Sequence, residues 1–440
     1  MKISSISKVF LVLFISGMIS SCEDYLADIN EDPNKSASVP LTALLPQIEI
    51  QLADVYGSTF SRYGCMYTQQ VEGVARQWVG FNQYSALPED FDAAWNDLYE
   101  NIIVELKPIT SDAEANGYNH YLAIANIIEA KAMMMITDFF GDAPYTEAGL
   151  SPEVVSSPIY DDQETVIYPA ILALLDEAIN LFNSEPGEVV PGSDDLFYNG
   201  SVEQWLKAIE AIKARYYLHL GNYSAALTAA QNSFTSAEDN FSYTYSVPPN
   251  GAPWYRFNDG RTGDIEFHPT MRTLMENLND TARLRIMDQT FITSHPYLIA
   301  AYEQELISYR EVQFIIAECL LRTEGDPILL RTAYLNGIEA SFAELGLTAT
   351  DYESYISPSI IDPGVGNISL DQIMTQKYIA MFVQPETFSD WRRTGIPSLT
   401  PVSGTQVPRR FKYPLNEILY NSNAPEEDSD RQFEPVDWDN

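Results

Sequence analysis

The stretch from Tyr121 to Phe140 sets the terms for the rest of the chain. It is apolar nearly all round, with Ala123, Ala125, Ala130 and Ala132 interleaved among larger side chains. A helix of that kind has no face for water and must be covered by other helices, and its small residues let those neighbours come close. It ends at Phe140-Gly141-Asp142-Ala143-Pro144, where Gly141 can take the left-handed cap conformation and Pro144 cannot continue a helix. Apolar residues at three-four spacing predict further helices over 41–56, 60–79, 91–103, 162–182, 201–220, 223–234, 309–321, 328–345 and 371–384. Phe91, Trp95, Leu98 and Ile102 share one face, and Pro169 predicts irregular first turns for 162–182. Ser201-Val202-Glu203-Gln204 has the capping-box pattern.

Segments 201–220 with 223–234, and 309–321 with 328–345, look like tetratricopeptide helix pairs, although no clean repeat period runs through the chain. Between them, 235–308 is rich in Pro, Gly, Asn and aromatic residues and keeps a helical period only near 271–278. The expectation is an all-α fold of tetratricopeptide-like helix pairs with long irregular loop insertions, the main one at about 235–308. The tail, 385–440, reads as loop-rich.

Lys2 and Lys8 precede an apolar core from Val9 to Met18, too short to hold a bilayer-spanning anchor, and then Ile19-Ser20-Ser21-Cys22. That ending looks like the lipobox of bacterial lipoproteins. The resemblance implies a signal peptide over 1–21, cleavage before Cys22, acylation of Cys22 and a tether over 22–40, leaving one domain over 41–440. An ordinary secretory signal with an incidental Cys22 is the alternative. Glu23-Asp24 resemble the surface-export signal of Bacteroidota lipoproteins and point to the outer face of the outer membrane. No later uninterrupted apolar run approaches membrane-spanning length.

The formal charge of −37, from 25 Lys+Arg against 62 Asp+Glu, repels a phosphate backbone and argues against nucleic-acid partners. After Cys22 only Cys65 and Cys319 remain, so the fold rests on packing rather than on a disulfide framework. A single Cys65–Cys319 bond stays open, with Cys319 reading as a small core residue.

Several blocks in order resemble the SusD/RagB-like family, in its second SusD-like subgroup: Ile29-Asn30-Glu31-Asp32-Pro33-Asn34, Asp138-Phe139-Phe140-Gly141-Asp142, Asp195-Leu196-Phe197-Tyr198-Asn199-Gly200 with Trp205, Glu311 to Glu318, and Gln376-Lys377 with Asp390-Trp391-Arg392-Arg393. Ser201 departs from the Asp expected in relatives, and Ser caps a helix as well. The resemblance implies a SusD-like surface lipoprotein, lipid-anchored in the outer membrane and facing the exterior. It would sit as a lid on a SusC-like TonB-dependent transporter and capture oligosaccharides, or in some members peptides, for import.

Enzyme signals are poor. His120, His219, His268 and His295 are scattered and form no zinc motif, and no nucleophile elbow or phosphate loop is present. No catalytic residue, resident metal or cofactor is expected, although a glycosidase carboxylate pair is defined in space and a surface glycan hydrolase stays an alternative. So does an adaptor that binds its transporter and no soluble ligand. Asp259-Gly260-Arg261-Thr262-Gly263-Asp264-Ile265-Glu266 offers three carboxylates but lacks calcium-loop spacing and reads as a solvated turn. Arg392-Arg393 and Arg409-Arg410-Lys412 read as partners of internal carboxylates. Sugar capture needs aromatic faces beside polar side chains. Two stretches, read as loops, offer that mixture: Arg76 to Tyr84, with Trp78, Asn82 and Tyr84, and Trp254 to Asp259, with Trp254, Tyr255 and Arg256. Trp95, Trp205 and Trp391 are assigned to the core.

Overall fold

The computed structural model describes residues 39–151, 153–246, 249–289, 295–426 and 430–439. Cys22, the signal sequence and the tether up to residue 38 lie outside the described residues. The chain divides into two compact units, Met1–Ala43 and Leu44–Asn440.

Helix α1 (Leu41–Val55) runs through a π turn, Tyr56–Phe60, into α2 (Ser61–Tyr67). The helix predicted over 60–79 stops there. Gln69 turns the chain at φ 60. The Gln70 side chain donates to Tyr378 O at 2.7 Å and accepts from Val383 N at 3.1 Å, so tertiary bonds override the helical period. Val71–Gly73 becomes strand β1, and a short helix, α3 (Gln77–Asn82), follows.

The face predicted for 91–103 forms as drawn: Phe91, Trp95, Leu98 and Ile102 are all buried along α4 (Asp92–Leu98) and the π turn Tyr99–Val104 that leads into α5 (Glu105–Asn116). Helix α6 (Asn119–Phe140) is buried over almost its whole length, and Gly141 closes it at φ 94. Before α7 (Tyr168–Phe182), residues 163–167 form the irregular start that Pro169 predicts, capped by Asp162 accepting from Thr165 N at 2.7 Å. By length and composition Gln163–Phe182 is apolar enough to cross a membrane, a property hidden from a search for uninterrupted runs by Asp176 and Glu177. Here it lies along α6 with Ile171, Leu175 and Ala178 buried, as a core helix does.

Helix α8 (Val202–His219) and α9 (Tyr223–Asn232) form the first predicted pair. Ser201 caps α8 by accepting from Gln204 N, while Gln204 Oε1 finds no partner among the described residues, so half of the capping box forms. Leu220 is exposed because the helix has ended.

The insertion at 235–308 carries short regular elements between its irregular stretches. It holds β2 (Phe241–Thr244), α10 (Pro253–Arg261), β3 (Ile265–Phe267), α11 (Pro269–Asn277), α12 (Thr281–Met287) and β4 (Glu303–Ile307). Apart from α11, whose period shows near 271–278, each piece is too short to show one in sequence. Strand β2 pairs antiparallel with β4 and closes the base of the insertion. The chain therefore returns beside its point of departure, and α9 packs directly on α13 (Tyr309–Arg322). With α14 (Pro327–Glu344), the pairs α6–α7, α8–α9 and α13–α14 stand side by side, the expected helix-pair architecture. Beyond them come α15 (Ala349–Ile356), α16 (Leu370–Ala380), α17 (Glu386–Thr394), which the loop-rich reading of the tail missed, and α18 (Leu415–Tyr420).

A buried ionic chain ties these helices together. His219 on α8 lies 3.2 Å from Asp138 of α6 and 2.7 Å from Glu386 of α17. Arg215, one turn earlier, donates to both oxygens of Glu311 on α13 at 2.8 and 2.6 Å. Burial alone would lower the imidazole, but Asp138 and Glu386 outweigh it and raise His219 to about 9. Breaking one partner of such a network costs roughly 3–5 kcal/mol, because a charge is left buried and unpaired. Arg393 pairs with Glu318 and Arg409 with Asp439, as expected, whereas Arg392 donates to the carbonyls of Asp138 and Arg409. Cys65 and Cys319 are both buried and free.

Candidate functional site

The two aromatic stretches, far apart in sequence, meet. Antiparallel pairing of β1 with β3 sets Val71 opposite Phe267 and Gly73 opposite Ile265, which brings α3 beside α10. Val74 N donates to Asp264 O at 2.9 Å, Arg76 pairs with the Asp264 carboxylate, and Arg261 Nη1 donates to Gln77 Oε1 at 3.3 Å. Gly73 is needed at this crossing: a Cβ there would stand 2.1 Å from Trp78 O. Asp264, a possible cation ligand in sequence, is 1% exposed and neutralised by Arg76.

Both stretches were expected to be loops, and both are helices. Phe257, which sequence reasoning passed over, joins them. Its ring meets Trp78 edge-to-face at 5.1 Å and Trp254 at 6.2 Å, and the Arg62 guanidinium lies 4.9 Å from its centroid. The signal was available, since Phe257 follows Trp254 by three residues and so shares its side of a helix.

The named residues separate by environment. Trp254 is 1% exposed, and its indole donates to Ser61 Oγ at 2.8 Å. As the second residue of α10 it points into the core with Asn258, one turn on, and offers no stacking face. Tyr84 is also enclosed. Its hydroxyl accepts from Val402 N at 3.1 Å and its carbonyl from Gln432 at 3.0 Å, so the C-terminal segment covers it. Arg256 is exposed but paired with Asp54, and Tyr255 is half-buried.

Trp78 differs. Its body packs on Tyr63 and Phe81 at 5.8 and 6.2 Å, while it lines a cavity of about 270 Å³ with Gln77, Ser85, Leu87 and Asp90. Its buried indole N–H has no hydrogen-bond partner among the described residues. Neither has Asn82 Oδ1 from the same helix, nor Asn258 Nδ2 from α10. A buried polar atom without a partner costs free energy comparable to a lost hydrogen bond. Of these three residues only Trp78 lines the cavity, so it is the one placed to meet a ligand there.

Elsewhere, Asp142, Asp162 and Asp437 bring carboxylate oxygens within 4.8 Å of one another. Asp142 already accepts from Gln163 N and Asp162 from Thr165 N, so these two cap backbone.

Comparison with known proteins matches residues 33–296 and 286–414 to the SusD-like_2 family, described as "Starch-binding associating with outer membrane". No curated protein matches. Among solved structures, a SusD/RagB family protein from Bacteroides thetaiotaomicron superposes with a TM-score of 0.73 at 24% identity, over 91% of this chain and 99% of its own. A chitin-binding SusD homologue from Flavobacterium johnsoniae superposes with 0.73 at 20% identity, over 90% and 98%. A Bacteroidetes SusD-like protein gives 0.76 at 18% identity, over 91% and 100%. The helix-pair stack is thus that of SusD-like structures, and with the profile spanning most of its length the chain belongs to the SusD-like_2 family.

Proposed function

We propose that the protein captures neutral oligosaccharides at the junction of α3 and α10 and passes them to a SusC-like TonB-dependent transporter. It would do so from the exterior face of the outer membrane, held there by lipid on Cys22 after removal of residues 1–21, with residues 22–40 as tether and 41–440 as one binding domain. The family description, starch-binding and outer-membrane associated, supports the reading, as does the chitin-binding relative of the same fold. The observation that carries it to particular residues is the buried, unpartnered indole N–H of Trp78 on the cavity wall. A pyranose packs its C–H face on an aromatic ring and needs donors and acceptors for its hydroxyls. Asp90 on the same wall and the formal charge of −37 disfavour uronate or sulfated chains. The protein performs no covalent chemistry in this account; retention comes from closure onto the transporter.

Calorimetric titration of the soluble protein, starting after Cys22, against an oligosaccharide panel and a mixed peptide pool tests the reading. Saturable binding of a neutral glycan supports it. Binding of peptides alone moves the protein to the peptide-capturing branch, and turnover of a polysaccharide would make it a hydrolase.

A further inference from the structure

A second cleft, of about 710 Å³, shares no lining residue with the Trp78 cavity. It opens between the β2–β4 base of the insertion and helices α13 and α14. Three tyrosines line it: Tyr297 and Tyr302, both buried, and Tyr309, half-buried. Four glutamates also line it, Glu303 and Glu305 on β4 and Glu339 and Glu344 on α14, against one cation, Arg310.

Arg310 is 2% exposed and clamps two of the acids. Its Nη1 donates to Glu305 Oε1 at 3.1 Å and lies 2.6 Å from Glu344 Oε2, and its Nη2 lies 2.6 Å from Glu305 Oε2. Asn240 donates to Glu305 Oε1 at 2.9 Å, and the Tyr297 hydroxyl reaches Glu344 at 3.4 Å. Two features are left over. The Arg310 Nε–H, buried with the rest of the group, has no hydrogen-bond partner among the described residues. Glu303 and Glu339 on the rim face no cation of the lining. The cleft therefore holds a carboxylate excess beside tyrosine faces, with the Arg310 Nε–H unpartnered among the described residues.

We propose that this cleft is a second ligand site, for compounds that carry a primary ammonium next to a hydroxyl or carbonyl oxygen. The ammonium sits among the glutamates and over a tyrosine face, where a desolvated cation is held by charge-assisted bonds and by the ring quadrupole. The neighbouring oxygen accepts from Arg310 Nε. An anionic ligand would meet the carboxylates and is excluded. Amino sugars with a free amine and the N-termini of peptides both have this arrangement. Burial also pushes Glu305 up to about 8, against Arg310, which lowers it, and with Glu344, which raises it further.

The test is calorimetry on the soluble protein near pH 7 with two probe pairs. One is a glucosamine oligomer and its N-acetylated form; the other is a short glycine peptide amide with a free or an acetylated N-terminus. We expect the free amine to bind and acetylation to weaken it at least about tenfold. The exposed rim variants Glu303→Gln and Glu339→Gln together should weaken it similarly without touching the Arg310 clamp. Trp78→Phe should leave it unchanged. Binding of one probe class alone assigns the source of the ammonium. Equal binding of acetylated and free forms, indifference to the rim variants, or no amine binding at all overturns the proposal. The N-acetylated glucosamine oligomer is itself a neutral glycan and a ligand for the Trp78 site under the proposed function, so the decisive comparison for the cleft is the peptide amide pair, which carries no sugar.

Discussion

Trp254→Ala separates a core tryptophan from a ligand platform. The ring is 1% exposed, packs on Phe257 and donates to Ser61 Oγ. Truncating a buried aromatic side chain costs roughly 3–5 kcal/mol through lost transfer energy and the cavity left behind. The lost hydrogen bond adds about 1 kcal/mol, so the expected destabilisation is about 4–6 kcal/mol. Urea unfolding followed by far-ultraviolet circular dichroism measures it as a shift in midpoint at constant slope. Trp254→Phe keeps most of the burial and should recover more than half of the loss. A destabilisation below about 1 kcal/mol, accompanied by loss of glycan binding in the folded variant, would refute the core assignment: no ring enclosed on all sides can be removed so cheaply.

Two further outcomes follow from the same geometry. Gly73→Ala places a methyl 2.1 Å from Trp78 O; backbone must move, so it should cost about 1–3 kcal/mol by urea unfolding and weaken glycan binding through the displaced α3. His219, raised from 6.5 to about 9, is protonated more strongly in the folded state than in the unfolded one. Its stabilisation is therefore complete below about pH 6.5 and lost as pH rises through 9, a difference of about 3 kcal/mol. The stability gap between the wild type and His219→Gln should shrink over that window, and a gap independent of pH would contradict the charged imidazole.

The long helices and their pairing were legible in the sequence because each keeps its period over several turns. Segment 60–79 was not: its period continues through Val71–Gly73, and only the bonds of Gln70 to residues 378 and 383 and the pairing with β3, far along the chain, break it. The family-like blocks prove to be structural knots. Asp195 accepts from Phe197 N, Tyr198 N, Gly200 N and the Trp205 indole. Asp138 and Glu311 belong to the buried ionic chain, and Arg393 is held by Glu318 and Asp390. Such residues reveal the fold and say little about a ligand. Within the candidate stretches, composition could not separate Trp78, at a cavity wall, from Trp254, in the core, because both rings sit in similar local sequence. The cleft around Arg310 stayed hidden because its walls come from four separate segments.

Trp78→Phe tests the capture site most directly. The change keeps an aromatic body against Tyr63, Phe81 and Phe257 and removes an N–H that has no partner among the described residues. Stability should move by less than about 1 kcal/mol, since no internal hydrogen bond is lost. Affinity for the bound oligosaccharide, measured by calorimetry on the same preparations, should fall about five- to tenfold, the worth of one hydrogen bond to the ligand. Unchanged affinity in a variant of unchanged stability would contradict the assignment of Trp78 to glycan capture.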